Sequence, residues 1–184
     1  MIPESWYGSP DTLNPADAYG TAKRTAEHLC ALYSHTYGLE TVVARCFAFI
    51  GQDLPLNVHF AIGNFIRDAL WHPEITVTGD GTALRSYLDQ RDLANWLLKL
   101  LEHGRSGQSY NVGSDQAISM ADLARLVRDI VARDKSIRIL GMPSVDCQRH
   151  IYVPSIEKAR KELGLDIFTS LQNAIKLTAQ TATL

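Results

Sequence analysis

Asn14-Pro15-Ala16-Asp17-Ala18-Tyr19-Gly20-Thr21-Ala22-Lys23 decides the reading of this chain, because it opens a long helix and places a phenol and an ammonium four residues apart. Residues at that spacing share one helix face, a turn above each other. Free tyrosine ionises near pH ~10, and lowering that by roughly three units needs about 4 kcal/mol of preference for the phenolate. A neighbouring lysine, with a second cation in a water-poor cleft, supplies a preference of that order. The same spacing equally serves a core tyrosine with a lysine snorkelling beside it, so the pair alone leaves both readings open.

Outward from this stretch, residues 3–14 are rich in Pro, Gly, Ser, Asp and Asn and read as loop. Asn14 suits an N-cap, Pro15 the first helical position, and Gly38 the left-handed residue that ends the helix. Between them Tyr19, Ala22, Ala26, Leu29, Tyr33 and Tyr37 keep a 3-4 spacing, which predicts an apolar face along the whole helix and a second partner for it, such as another subunit. Residues 41–47 are β-rich without strict alternation, as in a strand covered on both faces. A helix, a short loop and a buried strand make half of a parallel βαβ unit.

Further on, the pattern predicts a helix over 58–71, a strand over 75–78 with a hairpin-like turn at Gly79-Asp80-Gly81, and a strand over 85–88. A helix over 91–103 is expected to bury Leu93, Trp96, Leu97, Leu100 and Leu101. A strand over 109–113, a helix capped by Ser119, a strand over 137–140, a helix capped by Ser155 and a last helix from Ser170 complete a mixed α/β order.

The chain has 184 residues, 46% of them hydrophobic and 21% charged, with a net charge of −2, which suits a globular protein and gives no footprint for nucleic acid or an anionic membrane. Cys30, Cys46 and Cys147 are far apart and suggest reduced apolar fillers rather than a metal site. No apolar run is long enough to span a bilayer, and Met1–Glu4 lack a signal-peptide pattern. The expectation is a cytoplasmic protein.

Five segments, in order, resemble the C-terminal portion of extended short-chain dehydrogenases/reductases, the NAD-dependent nucleotide-sugar epimerases and dehydratases. Tyr19 to Lys23 looks like the family's Tyr-x-x-x-Lys helix. Arg45-Cys46-Phe47-Ala48-Phe49-Ile50-Gly51 looks like its Arg-x-x-Asn-x-x-Gly segment, with Ala48 where an asparagine often touches substrate. Gly79-Asp80-Gly81, Arg85 and Asp92-Leu93-Ala94 look like its Gly-Asp-Gly…Arg…Asp-Leu-Ala block. Tyr110-Asn111-Val112-Gly113 is similar to the strand that returns to the main sheet, and Lys158 to Leu165 to the terminal Lys-Ala…Leu-Gly motif.

The resemblance implies that Tyr19 takes a proton from a sugar hydroxyl, usually at C4, while hydride leaves for NAD or, in its place, NADP. It implies that Lys23 holds the nicotinamide ribose and keeps Tyr19 ionised. Arg85 is the candidate diphosphate ligand, since a forked, always-charged donor suits it; a surface salt bridge is the other role for such a residue. Asn57, His59 and Asn64 fall in the segment lining the family's nucleotide pocket, though a His or Asn there also serves as a cap or surface residue. Thr76 and Thr78 match the strand flanking the base, where β-propensity alone would also place threonine. Arg149 is a candidate second phosphate ligand, although its spacing from Tyr152 departs from the family's.

The family's glycine-rich cofactor turn has no counterpart here, and its catalytic Ser or Thr would lie upstream of residue 1. The expected fold is therefore the C-terminal part of a Rossmann-type parallel sheet plus a small mixed α/β substrate lobe. Residues 1–50 would end the Rossmann-type domain, and 51–184 would form mainly the lobe, with 85–113 partly returning to the sheet. The expected protein is part of an NAD-dependent epimerase or dehydratase, inactive alone, with an open strand edge and a bare helix face. It would bind a nucleoside diphosphate sugar and form a homodimer through the long helix. Alternatives are a non-catalytic nucleotide-binding or dimerisation module, or a related reductase on a non-sugar substrate.

Overall fold

The computed structural model describes residues 1–142 and 150–182. Arg149 and Cys147 lie outside the described residues. The order is α1 (Ala18–Tyr37), β1 (Val42–Cys46), β2 (Phe49–Ile50), α2 (Ala61–Trp71), β3 (Glu74–Val77), β4 (Leu84–Arg85), β5 (Leu88–Asp89) and α3 (Gln90–His103). Then follow β6 (Gln108–Val112), β7 (Ile118–Ser119), α4 (Met120–Val131), β8 (Ser136–Ile139), β9 (Ile151–Tyr152), α5 (Glu157–Leu163) and α6 (Leu171–Ala182).

The opening helix begins as its sequence dictates. Asn14 Oδ1 accepts from Ala16 N at 3.1 Å, Pro15 starts a 3-10 turn through Asp17, and α1 follows directly. Gly38 ends it at φ +67°, a conformation that a side chain rarely adopts. The α/β class holds. Strand β1 runs parallel to β6 with Val42 opposite Gln108 and Cys46 opposite Val112. Strands β2 and β5 pair in parallel, as do β3 and β8. Strand β4 lies between antiparallel β7 and parallel β9.

Two cores hold these elements. One joins α2, α4, α6 and β3 through Ile62, Ile66, Ile75, Leu123, Val127 and Ile175, all fully buried. The other joins α3, β6 and α5 through Trp96, Tyr110, Val112 and Ile156, and Trp96 Nε1 donates to Asp166 O at 3.1 Å. Each such aliphatic side chain contributes about 2 kcal/mol of burial. Buried Asp92 is satisfied by the backbone N–H groups of Phe168 and Thr169, at 3.0 and 2.8 Å, and so ties α3 to the start of α6.

Several expectations are corrected. The Gly79-Asp80-Gly81 turn is no hairpin: β3 pairs with β8 and β4 with β7 and β9, because the turn hands the chain from one sheet to another. The single strand expected over 85–88 divides into β4 and β5 in different sheets. Leu97 and Leu101 of α3 are exposed, since the core meets only the Trp96 and Leu100 side of that helix. Helix α1 buries no residue; its half-covered positions are Gly20, Thr21, Glu27, Cys30 and Ser34, while its apolar stripe faces solvent. Strand β1 is half-buried rather than covered on both faces, and among the described residues only β6 pairs with it. The bare helix face and open strand edge are thus both present.

Candidate functional site

The site forms where α1 passes β1. Tyr19, Lys23 and Glu27 recur every fourth residue and make one stripe along α1. The Lys23 ammonium stands 5.5 Å from the centroid of the Tyr19 ring. Below them Glu27 receives Arg45 of β1 through Nε and Nη2, each at 2.8 Å, a forked pair that sets the distance between helix and strand. The Glu27 hydrogen bond raises the Arg45 guanidinium further above its ordinary range, against the opposing cost of burial.

Arg45 also orders the N-terminal loop. Its Nη1 donates to Glu4 O at 2.7 Å, and the Glu4 carboxylate accepts from Asn111 N of β6 at 3.0 Å. The Asn111 side chain in turn donates to Ile2 O and Ser155 O, at 2.9 and 3.1 Å. Loop, helix and both strands are therefore cross-linked around one arginine.

Between α1 and β1 lies a cavity of about 770 Å³, lined among others by Tyr19, Lys23, Arg45, Cys46, Phe47 and Tyr152. Cys46 is open to solvent at the end of β1, yet its neighbours shield it enough for burial to push the thiol up, with Lys23 opposing. Burial also raises the Tyr152 phenol, with Tyr19 adding to the rise, Arg85 opposing it and Cys46 adding again. Tyr19 itself is 75% exposed, so the described residues alone do not form the water-poor cleft expected around it.

Arg85 of β4 has no carboxylate partner among the described residues; its Nη1 donates to Leu84 O and His150 O at 2.8 and 2.9 Å. Asn64 Oδ1 accepts from Arg67 at 3.3 Å on α2, and Thr76 N donates to the buried Asp68 at 3.2 Å. Asn57, His59 and Thr78 are exposed, with the His59 ring 4.5 Å from that of Phe60. None of Arg85, Asn57, His59, Asn64, Thr76 or Thr78 lines the cavity holding Tyr19 and Lys23. Phe47, Asn111 and Tyr152 were named from the sequence only within or beside motifs, with no role in the site, while Glu4 and Glu27 were not singled out; Glu27, one turn beyond Lys23, carried a local signal.

Three parallel strand pairs, β1 with β6, β2 with β5 and β3 with β8, with helices between the strands, define an α/β protein of the Rossmann type. Residues 3–113 match the model of the NAD dependent epimerase/dehydratase family, and the chain belongs to that family. It is 31% identical over 175 residues to UDP-glucuronic acid decarboxylase 1 of Xenopus tropicalis, covering 95% of this chain and 41% of that one. Among solved structures it is similar to the Bordetella bronchiseptica enzyme WbmF in complex with NADH, with a TM-score of 0.82 and 25% identity, over 99% of this chain and 57% of the other. A UDP-glucose 4-epimerase of Thermotoga maritima with UDP-glucose shares the fold, with a TM-score of 0.80 and 24% identity over 90% of this chain and 53% of that one. The chain thus spans about half the length of the proteins it matches.

Proposed function

We propose that this chain supplies the proton-transfer pair and most of the sugar-nucleotide lobe of an NAD-dependent enzyme acting on a nucleoside diphosphate sugar. The observation that carries this is the Lys23 ammonium over the Tyr19 ring, at a cavity of a chain that belongs to the epimerase/dehydratase family. Tyr19 takes the proton of a sugar hydroxyl, at C4, and Lys23 holds the nicotinamide ribose. Bound there, NAD would supply the acceptor for the hydride lost from the same carbon. The residues present fit that end of the cofactor: Lys23 makes no ion pair among the described residues and lines the cavity beside Tyr19. That no glycine-rich turn between a strand and a helix occurs among the described residues supports the reading that residues 1–184 by themselves turn no substrate over. Similarity to UDP-glucuronic acid decarboxylases favours uridine as the base and a hexuronic acid as the sugar.

Titration calorimetry of residues 1–184 with UDP-glucuronic acid and with NAD tests this reading. UDP-glucuronic acid is expected to bind and NAD to give no measurable heat. Tight NAD binding, or no nucleotide binding, would overturn it. A second role is favoured by the exposed stripe on α1. It serves as a homodimer contact, and would serve equally in a non-catalytic dimerisation module.

A further inference from the structure

We propose that the groove between the start of α3 and the outer face of α6 binds a phosphate monoester whose organic group lies against Phe168. The groove holds about 400 Å³, within the roughly 300–1,000 Å³ usual for small-molecule sites. It shares no residue with the cavity of Tyr19 and Lys23, and the proposal goes beyond the nucleotide-sugar reading.

Helix α6 turns Ala174, Ile175, Thr178 and Ala179 into the core, which leaves Asn173, Lys176 and Leu177 on one outer face at 3-4 spacing. Lys176 makes no ion pair among the described residues, and no carboxylate among them lines the groove. Arg91 of α3 joins it. Its Nε and Nη2 donate to the buried Asp89 at 2.7 and 3.0 Å, a fork that holds the guanidinium in one plane and leaves Nη1 for a ligand.

Phe168 supplies the apolar part. Its ring is 70% exposed and packs in neither core. Its backbone is nonetheless pinned, because Phe168 N and Thr169 N both donate to buried Asp92. A ring held out in solvent on a fixed backbone is a surface for something else to cover.

The donors select the ligand. Arg91 Nη1, Lys176 Nζ and the Asn173 amide come from three side chains, and a phosphate monoester presents three terminal oxygens where a carboxylate has two. Guanidinium and ammonium make the charge-assisted bonds, while Phe168 and Leu177 take the esterified group.

Calorimetry of the full chain with inorganic phosphate and with phenyl phosphate tests this. Phenyl phosphate is expected to bind about fivefold more tightly or better. Lys176→Gln should weaken both by about tenfold. Phe168→Ala should abolish the preference for phenyl phosphate and leave inorganic phosphate as it was. Both residues are exposed, so neither change disturbs a core. Lys23→Gln, in the other cavity, should alter neither ligand, and Lys176→Gln should bind UDP-glucuronic acid as wild type does. No binding of either phosphate, no preference for phenyl phosphate, binding that survives Lys176→Gln, or loss on Lys23→Gln would overturn the groove and leave the nucleotide-sugar reading standing. Loss of UDP-glucuronic acid binding in Lys176→Gln would overturn it as a separate site. A wild type that binds phenyl phosphate as expected but not UDP-glucuronic acid would support the groove and sink the nucleotide-sugar reading alone.

Discussion

Glu27 and Arg45 form a forked ion pair across the gap between α1 and β1, with both N–H···O distances at 2.8 Å. Helix α1 has no buried side chain of its own, so this pair substitutes for the hydrophobic contact that would ordinarily seat a helix on a strand. Arg45→Ala is expected to cost about 1–3 kcal/mol, because it leaves a half-buried Glu27 without its donor and frees Glu4 as well. Arg45→Lys keeps the charge and loses the fork, and recovers only part of the loss. Urea unfolding of the variants checks this, and unchanged midpoints would show that α1 is held by other contacts.

Tyr19→Phe removes one oxygen from a side chain that is three-quarters exposed, so the fold should not notice it. On the proposed function, the NAD-loaded enzyme that contains this chain is expected to lose about 100-fold or more in kcat on a nucleoside diphosphate sugar, with KM nearly unchanged. Wild-type turnover by this variant would remove Tyr19 from the proton-transfer step.

Burial pushes the Tyr87 phenol up to about 12, with Arg85 opposing. The folded value lies above the unfolded one, so the contribution is complete below about pH 10 and is lost as pH rises through the folded value. Its size is roughly 3 kcal/mol at most. Stability measured by urea titration should therefore decline across that alkaline window, and Tyr87→Phe should flatten the decline. Parallel pH profiles for the two proteins would count against the assignment.

The stripe on α1 leaves Leu29, Tyr33 and Tyr37 about half exposed or more. An apolar face of this length on one helix promotes self-association. Sedimentation velocity is expected to show a dimer or larger species for wild type. Leu29→Lys with Tyr33→Glu should shift it to monomer with little change in thermal midpoint, since neither residue packs in a core. A monodisperse wild-type monomer that melts cooperatively would contradict the dimer contact.

Much of this was legible locally. The Asn14 and Ser119 caps, the Gly38 and Gly164 stops and the alternation of helix and strand each depend on neighbours in the chain. The apolar positions of α4 were equally plain, because Leu123 and Val127 repeat at helical spacing and both are buried. The same rule misplaced Leu97 and Leu101, since periodicity finds an apolar face without saying whether anything covers it. Asp92, read from the sequence only as part of a motif, is a buried carboxylate whose hydrogen bonds join α3 to residues near α6.

By itself the sequence determined the Tyr19/Lys23 pair, since the pitch of one capped helix brings the two side chains together without outside help. It also determined the α/β order and, through ordered motifs, the family. Tertiary structure alone decided which residues surround that pair. Arg45 meets Glu27, and Arg85 faces Tyr152, only after parallel strands settle into register. A register between distant strands is a property of the whole sheet, fixed by packing on both cores, and leaves no pattern in either segment read alone.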